Sequence, residues 1–316
     1  MDTSTSYQRF ADIEVRGKSP TWAMICSGIA ADGDVIARVD ALPAPKRQPN
    51  LLLAAARYLG LPIEDYPSFR RVLLDRWDEV RAVMSARSTQ TNEAGRCAVL
   101  LPLLAGLPGP LALIEVGASA GLCLQPDRYR YRYDDGVVLG DAGPILDCAT
   151  AGPVPLPSRR PEVVWRAGLD LCPLDVTDAD DVRWLESLIW PGQPHRLDRL
   201  RSAIEVTRAD PPTLVRGDLT TDLDALIATA PVDATVVVFH SAVLCYLPVD
   251  GRDAFVSTMT GHPRVRWISN EAPGVFPAVD ARVPVVDHPG GFTIALDGEP
   301  VAAADPHGAW LRWFER

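Results

Sequence analysis

The chain has 316 residues, 47% hydrophobic and 23% charged, with 31 Lys and Arg against 41 Asp and Glu for a formal net charge of −10. That length can bury a sizeable core as one large domain or two, and the composition is that of an ordinary globular protein. The acidic balance disfavours nucleic acid as a partner. No apolar run of about eighteen residues suggests a membrane span. The opening stretch MDTSTSYQRFADIEVRGK lacks the apolar segment of a secretory signal, so a cytoplasmic location is expected.

Cys26, Cys97, Cys123, Cys148, Cys172 and Cys245 are scattered singly, without a C-x-x-C pair or a histidine at ligand spacing. This pattern argues for reduced, buried thiols and against a disulfide frame or a bound metal.

From Tyr7 to about Gly106 the signals are helical. Ser19-Pro20 is a cap followed by proline at the first helical position, leading into Trp22, Ile25 and Ile29. Asn50–Leu59 and Phe69–Ala86 carry apolar residues three and four apart. Thr91 reads as the cap of a further helix over Asn92–Leu104, ended by Gly106 and Pro108. A helical domain over residues 1–108 is expected.

Leu111–Val116 (LALIEV) is a short apolar run containing one acid, the mark of a buried parallel strand, and the small residues Gly117–Gly121 follow it. A strand opening into such a turn and then a helix would surround an open spot with backbone N–H groups. Pro126 forbids a long helix from Leu122. The stretch Arg128-Tyr-Arg-Tyr-Arg-Tyr133 could suit base stacking, but its period of two is more simply a half-exposed strand. Tyr129–Leu139 then reads as a hairpin turning at Asp134-Asp135-Gly136. Gly140–Pro161 reads as an irregular Pro-rich insertion, so that about 125–161 interrupts a second domain covering 109–316.

Strands are expected at Val163–Leu171, Thr213–Arg216, Ala234–Phe239 and Arg264–Ser269. Helices are expected from Thr177-x-x-Asp180, over Arg196–Arg208, over Leu223–Thr229 and from about Gly251 to Thr260, and a hairpin over Gly298 closes the chain. Alternating strands and helices imply an α/β fold with a doubly wound, mostly parallel sheet. Ligands of such sheets lie beyond the carboxyl ends of the strands, where the strand order reverses. The residues at those ends are Glu115 with the Gly117 turn, Asp170, Asp218, His240 and Glu271.

Gly117-Ala-Ser119-Ala-Gly121 has two readings, a cofactor turn or a serine nucleophile elbow. For the elbow, Asp287-His288 or Asp305 with His307 could complete a triad. Against it stand the helical first hundred residues, the lack of an H-G-G oxyanion loop, and Pro126.

Over about Leu111–Gly274 the order and spacing resemble the class I S-adenosylmethionine-dependent methyltransferases. E115-V-G-A-S-A-G is similar to the cofactor turn, G168-L-D-L-C-P to the strand whose acid holds ribose, R216-G-D-L to the acid near adenine, and F239-H-S-A-V-L-C-Y-L-P to the strand facing the methyl donor. The whole chain resembles a bacterial family of unknown function, domain of unknown function 2332, through K46-R-Q-P-N-L-L, T89-Q-T-N-E-A-G-R-C97, E115-V-G-A-S-A-G-L, D127-R-Y-R-Y, V236-V-V-F-H-S-A and A304-D-P-H-G. Ser119 stands where the methyltransferase turn has a glycine, and about 50 residues separate the turn from Asp170 where about twenty are usual.

The resemblance implies a Rossmann-like sheet binding S-adenosylmethionine through Glu115, Gly117, Ala118, Ser119, Gly121, Asp170, Leu171, Asp218 and Leu219, and methylating a small molecule. His240 would serve as a base near neutrality, with Glu271 as the second catalytic candidate. Asn92, Arg96, Tyr129 and Tyr246 would meet the substrate. The plainer readings are a structural His240, an Asp218 that only caps a helix, and a Glu115 paired with Arg96. Binding of the cofactor or a nucleotide without turnover is the alternative function, a serine hydrolase the further one. The sequence leaves the oligomeric state open.

Overall fold

A computed structural model describes residues 2–136, 138–284 and 290–315. The chain divides into two compact units, one of Met1–Thr91 with Thr177–Asp198, the other of Asn92–Val176 with Arg199–Arg316. A sequence boundary near 108 would give Asn92–Pro108 to the helical part, whereas the chain crosses between units at 91/92, 176/177 and 198/199.

The first unit is helical. Its helices include Thr3–Arg9, Pro20–Ala30, Gly33–Asp40, Pro49–Tyr58, Tyr66–Asp75, Trp77–Ala86 and Ala179–Leu188. Ser19 Oγ accepts from Trp22 N and Pro20 takes the first helical position, as the sequence requires. The single helix expected over Phe69–Ala86 is two, because Arg76 leaves helical geometry at φ −105°, ψ 24°. Ala179–Leu188 is capped by Asp178, and its Asp180 and Asp181 both pair with Arg87.

The second unit is built on one mixed sheet of eleven strands. In chain order these are β1 (Leu111–Val116), β2 (Arg130–Tyr133), β3 (Val138–Leu139), β4 (Ile145–Ala151), β5 (Val163–Asp170), β6 (Thr213–Arg216), β7 (Thr235–Ser241), β8 (Val265–Glu271), β9 (Phe292–Leu296), β10 (Glu299–Ala304) and β11 (Trp310–Trp313). The spatial order is β3-β2-β4-β11-β10-β9-β8-β7-β1-β5-β6. Six of the ten neighbouring pairs are parallel, so the sheet is mostly parallel. The run β6-β5-β1-β7-β8 is parallel throughout, with β1 between β5 and β7, so the chain's winding direction reverses at β1. All six residues of β1 are buried, as its apolar run demands.

The insertion is more regular than expected. Its hairpin forms, with Tyr131 opposite Leu139, and β4 pairs parallel to both β2 and β11. Tyr129, Tyr131 and Tyr133 are fully buried and donate their hydroxyls to Leu122 O, Pro126 O and Ala98 O. The alternating arginines face outward to local partners: Arg128 to Asp127 and Asp210, Arg132 to Asp147, and Arg130 to Gly143 O. The period of two is thus a half-buried strand whose inward tyrosines pin down the segment after β1. No described helix is long and apolar enough to cross a membrane.

The helix expected from Asn92 starts later, over Arg96–Gly106, and keeps Pro102 inside it. Asn92–Gly95 form a turn onto which the Ala304–Gly308 segment packs. A Cβ on Gly308 would fall 1.9 Å from Gly95 O, and one on Gly95 would fall 2.4 Å from His307 O. Gly308 also has φ +89°. Gly308→Ala combines backbone strain with overpacking and is expected to cost about 2–5 kcal/mol. Thermal unfolding followed by circular dichroism should show a midpoint lower by roughly 5 °C or more, and an unchanged midpoint would mean that the two backbones can separate cheaply.

Candidate functional site

The turn after β1 is held shut by its own protein. Gly117 N and Ala118 N donate to Leu169 O at 2.8 and 3.3 Å, and Gly121 N to Ala118 O at 2.7 Å. Ser119 N donates to Asp170 Oδ2 at 2.8 Å and Ala120 N to Asn92 Oδ1 at 3.0 Å. All five N–H groups of Gly117–Gly121 are therefore spent. Only a three-residue 3-10 turn, Leu122–Leu124, follows, so no helix dipole stands behind them. The expected cradle of free amides and helix N-terminus for an anion is corrected on both counts. Gly117 is required by packing, since a Cβ there would meet Val243 Cγ2 at 2.4 Å.

Asn92, expected at the start of a helix facing substrate, instead latches this turn, and its Nδ2 also donates to Ser119 Oγ. Ser119 sits at φ +49° and is 4% exposed. Its hydroxyl is engaged by an amide, and none of its hydrogen bonds goes to a histidine among the described residues. Asp287-His288, one triad offered for it, lies outside the described residues. Asp305, the other, accepts backbone N–H groups from His307 and Ala309 and organises the closing turn.

Asp170 closes β5 and accepts from Ser119 N and, at 2.7 Å, from Cys172 N. Beside it Leu171 is 70% exposed. Asp218 is occupied locally by Thr220 N and Oγ1, bonds that hold its carboxyl below the usual range, while Leu219 leans on the core.

Alternation along the strands divides the polar ends between the two faces of the sheet. Val116, Val238 and Trp267 share one core face, and His240 and Glu271 lie on it. Glu115 is one residue out of step and belongs to the other face. Ser241 and Asn270 pair across β7 and β8, with Asn270 Nδ2 donating to Ser241 Oγ at 2.8 Å.

His240 is fully buried among Phe255, Trp267 and Phe276. Its Nε2 accepts from Trp267 Nε1 at 3.0 Å and its Nδ1 lies 2.7 Å from Glu271 Oε1. An indole N–H can only donate, so Nε2 is the acceptor and Nδ1 carries the proton toward Glu271. Both nitrogens are used, which gives His240 a structural place and leaves it no nitrogen for a general base. Glu271 Oε1 also accepts from Val243 N and Leu244 N at 2.9 and 3.0 Å. Burial pushes this carboxyl up, but His240 and the two amides outweigh it and hold Glu271 below the usual range. Its Oε2 is buried without a partner.

Glu115 is the opposite case. Burial, with the Cys123 thiol beside it, pushes its carboxyl well above the usual range, and the Arg96 charge opposes this only in part. Its Oε2 has no partner. Arg96 spends Nε on Pro306 O and Nη1 on Ser241 O, at 2.9 and 3.1 Å, so its charge reaches Glu115 without a direct ion pair. Glu93, next to Asn92, pairs with Arg199 at 2.7 Å. Of the remaining candidates, Tyr246 is 75% exposed, whereas Tyr129 is fully buried with its hydroxyl donated to Leu122 O and offers a substrate nothing. The roles of Trp267 and Cys123 carried no local sequence signal, because their partners come from other elements.

These features define an α/β protein with polar strand ends gathered where a mostly parallel sheet reverses. The chain belongs to the family described as "Uncharacterized protein conserved in bacteria (DUF2332)", which it matches over residues 4–313. Comparison with curated proteins and with solved structures gives no match.

The account of His240 has a direct consequence. His240→Ala leaves the Trp267 N–H without its acceptor and Glu271 without one donor in a dry core, at a cost of about 2–5 kcal/mol. Urea unfolding should show a lower midpoint at unchanged slope, and a midpoint equal to wild type would refute the structural role.

Proposed function

We propose that the strand ends around β1 bind S-adenosylmethionine and that the protein transfers its methyl group to a small molecule. One imbalance carries this reading. Glu115 Oε2 is a buried acceptor without a donor, while the turn amides beside it all have acceptors already. A phosphorylated nucleotide needs donors and would meet a carboxylate and spent amides. A ligand carrying a sulfonium and an ammonium brings the positive charge that Glu115 lacks. The parallel run β6-β5-β1-β7-β8 supports the same reading, since its strands taken in chain order follow the 3-2-1-4-5 sequence of Rossmann-like, doubly wound sheets.

The other residues suit the remaining parts of such a ligand. In this reading Asp170, at the end of β5, is the acid that meets the ribose. Exposed Leu171 offers apolar surface for adenine. Arg96 brings a positive charge for the ligand's carboxylate. His240 enters only as a support of Glu271. The alternative of binding without turnover draws on the Asn92 latch, which holds Ser119 and Ala120 in place.

Titrating S-adenosylmethionine into the protein by calorimetry should give saturable heat, reduced at least tenfold in affinity by Glu115→Gln. No heat at millimolar ligand would sink the reading, and tighter binding of ATP or NAD would replace it with a phosphate site.

A pH dependence follows from Glu115, whose titratable or charged neighbours are the Cys123 thiol, Arg96 and Asp170. The empty protein keeps a proton on Glu115 over a range where an ordinary glutamic acid has lost it. A cationic ligand requires the carboxylate, so affinity should rise with pH through that range, with proton release seen as heats that vary with buffer ionisation enthalpy. Stability has the reverse sign: the native state binds this proton more tightly than the unfolded chain, so stability falls as pH rises above the usual glutamate range. Glu115→Gln should therefore raise the unfolding midpoint near neutral pH, by roughly 2–4 °C for each kcal/mol relieved.

A further inference from the structure

Strand register carries the polar strand ends onto one face of the sheet as a single band. Glu115 on β1 lies opposite Gly168 on β5 and Phe239 on β7, so Asp170 and Ser241, each two residues further along, share its face. Arg216 pairs with Asp170 on one side, and Asn270 pairs with Ser241 on the other. Across the parallel run β6-β5-β1-β7-β8 this face therefore ends in Arg216, Asp170, Glu115, Ser241 and Asn270. Strand spacing and rise put the Cα atoms of Asp170 and Ser241 each roughly 8 Å from that of Glu115, and Asn270 about 5 Å beyond Ser241. In the reading above, the methyl donor occupies the stretch from Asp170 to Glu115. Ser241 and Asn270 are the next positions along the same band.

These two side chains satisfy each other only in part. Asn270 is fully buried and its Oδ1 has no donor. Its Nδ2 donates to Ser241 Oγ at 2.8 Å, and the serine hydroxyl hydrogen has no acceptor among the described residues. A carboxamide can turn end for end: turned over, Oδ1 takes the serine hydroxyl, and Nδ2 and Ser241 Oγ are left open instead. Either way the pair shows one unfilled donor and one unfilled acceptor. The backbone beneath them is fixed, since Arg96 Nη1 donates to Ser241 O at 3.1 Å and Ala242 N to Asn270 O at 3.0 Å. Ser241 keeps 8% exposure, and Glu115 and Arg96 7% each, so the band meets solvent at these residues and is sealed at Asn270.

A buried donor and acceptor left unfilled cost stability, and a ligand that supplies both partners recovers it. An ammonium only donates. A ketone only accepts, as does a carboxylate, which would also meet the Glu115 carboxyl on the same face. A hydroxyl must serve both groups from one atom, whereas an amide holds a donor and an acceptor on neighbouring positions with no charge to desolvate.

We propose that Ser241 and Asn270 form the subsite of the second substrate, and that this substrate carries a neutral amide, as a primary carboxamide or as the amide edge of a ring. The position of this subsite beside a methyl donor rests on the methyl-transfer reading, but its preference for an amide does not.

The test titrates the full chain calorimetrically with benzamide, acetophenone, benzoate and benzylamine, each first alone and then with S-adenosylmethionine present. Benzamide should bind at least about tenfold more tightly than each of the other three. Asn270→Leu, close in volume and without polar side-chain atoms, should bring benzamide to within about threefold of acetophenone. Ser241→Ala, which removes a single hydroxyl, should weaken benzamide by about three- to tenfold and carries the test should Asn270→Leu fail to fold. Benzamide no tighter than acetophenone, tightest binding of benzoate or benzylamine, or no heat from any probe at millimolar concentration overturns the proposal, the last outcome assigning Asn270 to an internal water. A benzamide preference that survives in the folded variants, judged by native circular dichroism, also overturns it. If the benzamide preference holds and S-adenosylmethionine gives no heat, the amide subsite stands and the methyl-transfer reading fails. If S-adenosylmethionine binds and no benzamide preference is seen, the methyl-transfer reading stands and the amide subsite fails.

Discussion

A buried carboxyl group must either be paired or give up its charge, and the second unit carries one of each kind at the ends of its inner strands. Glu115 and Glu271 sit on β1 and β8, with β7 between them, and their surroundings drive them in opposite directions. Glu271 receives an imidazole and two amides on one oxygen and is held as the anion. Glu115 receives no comparable donors, lies beside a thiol, and is pushed toward its neutral form. Opposite shifts of neighbouring titratable groups recur at catalytic and binding sites, and structural ion-pair networks produce them too. The rest of the edge is arranged around them. Asn92 and Asp170 close the turn next to Glu115, and Trp267 with His240 supports Glu271 from behind.

The turn after β1 shows how far a motif can be separated from its usual use. Its wording, with glycines at 117 and 121 and a serine at 119, suggested either amides presented to an anion or a hydroxyl presented to an acyl carbon. The fold uses those same groups to fasten the turn to β5 and to the Asn92 segment. Glycine is needed at 117 because Val243 packs where a side chain would stand. What this arrangement leaves available is acceptor capacity rather than donor capacity, and that narrows the ligand chemistry more than the motif does.

Most of the central sheet could be read from the chain because its strands are continuous apolar runs with polar residues at their ends. β1, β5, β6, β7 and β8 all fall within two residues of their expected bounds, and the hairpin of β9 and β10 forms over Gly298. β4 and β11 escaped notice for a physical reason. Ile145–Ala151 alternates with small and polar residues, and Trp310–Trp313 is four residues long, so pairing with each other and with β2 or β10 makes them strands. The break at Arg76 lay within an unbroken helical periodicity and had no glycine or proline to announce it. Strand ends named Glu115, Asp170, His240 and Glu271 as polar positions, but their roles depend on partners from distant segments. Trp267 lies 27 residues from His240 and Asn92 lies 27 from Ser119. Periodicity finds which residues reach an edge and cannot find which of them are already satisfied there.

That distinction bears on the family stretches as well. T89-Q-T-N-E-A-G-R-C97 and A304-D-P-H-G look like two separate motifs in the chain, yet they form one packed feature: Gly308 against Gly95 and Arg96 Nε on Pro306 O. Arg96 is thereby fixed so that Nη1 reaches Ser241 O at the end of β7 and its charge reaches Glu115 at the end of β1. Asn92, four residues earlier in the same turn, holds Ser119 and Ala120. The two glycines are therefore spacers whose absence of side chain lets one short turn place both an arginine and an asparagine against the end of β1. The turn couples the packed backbone contact to the polar end of β1.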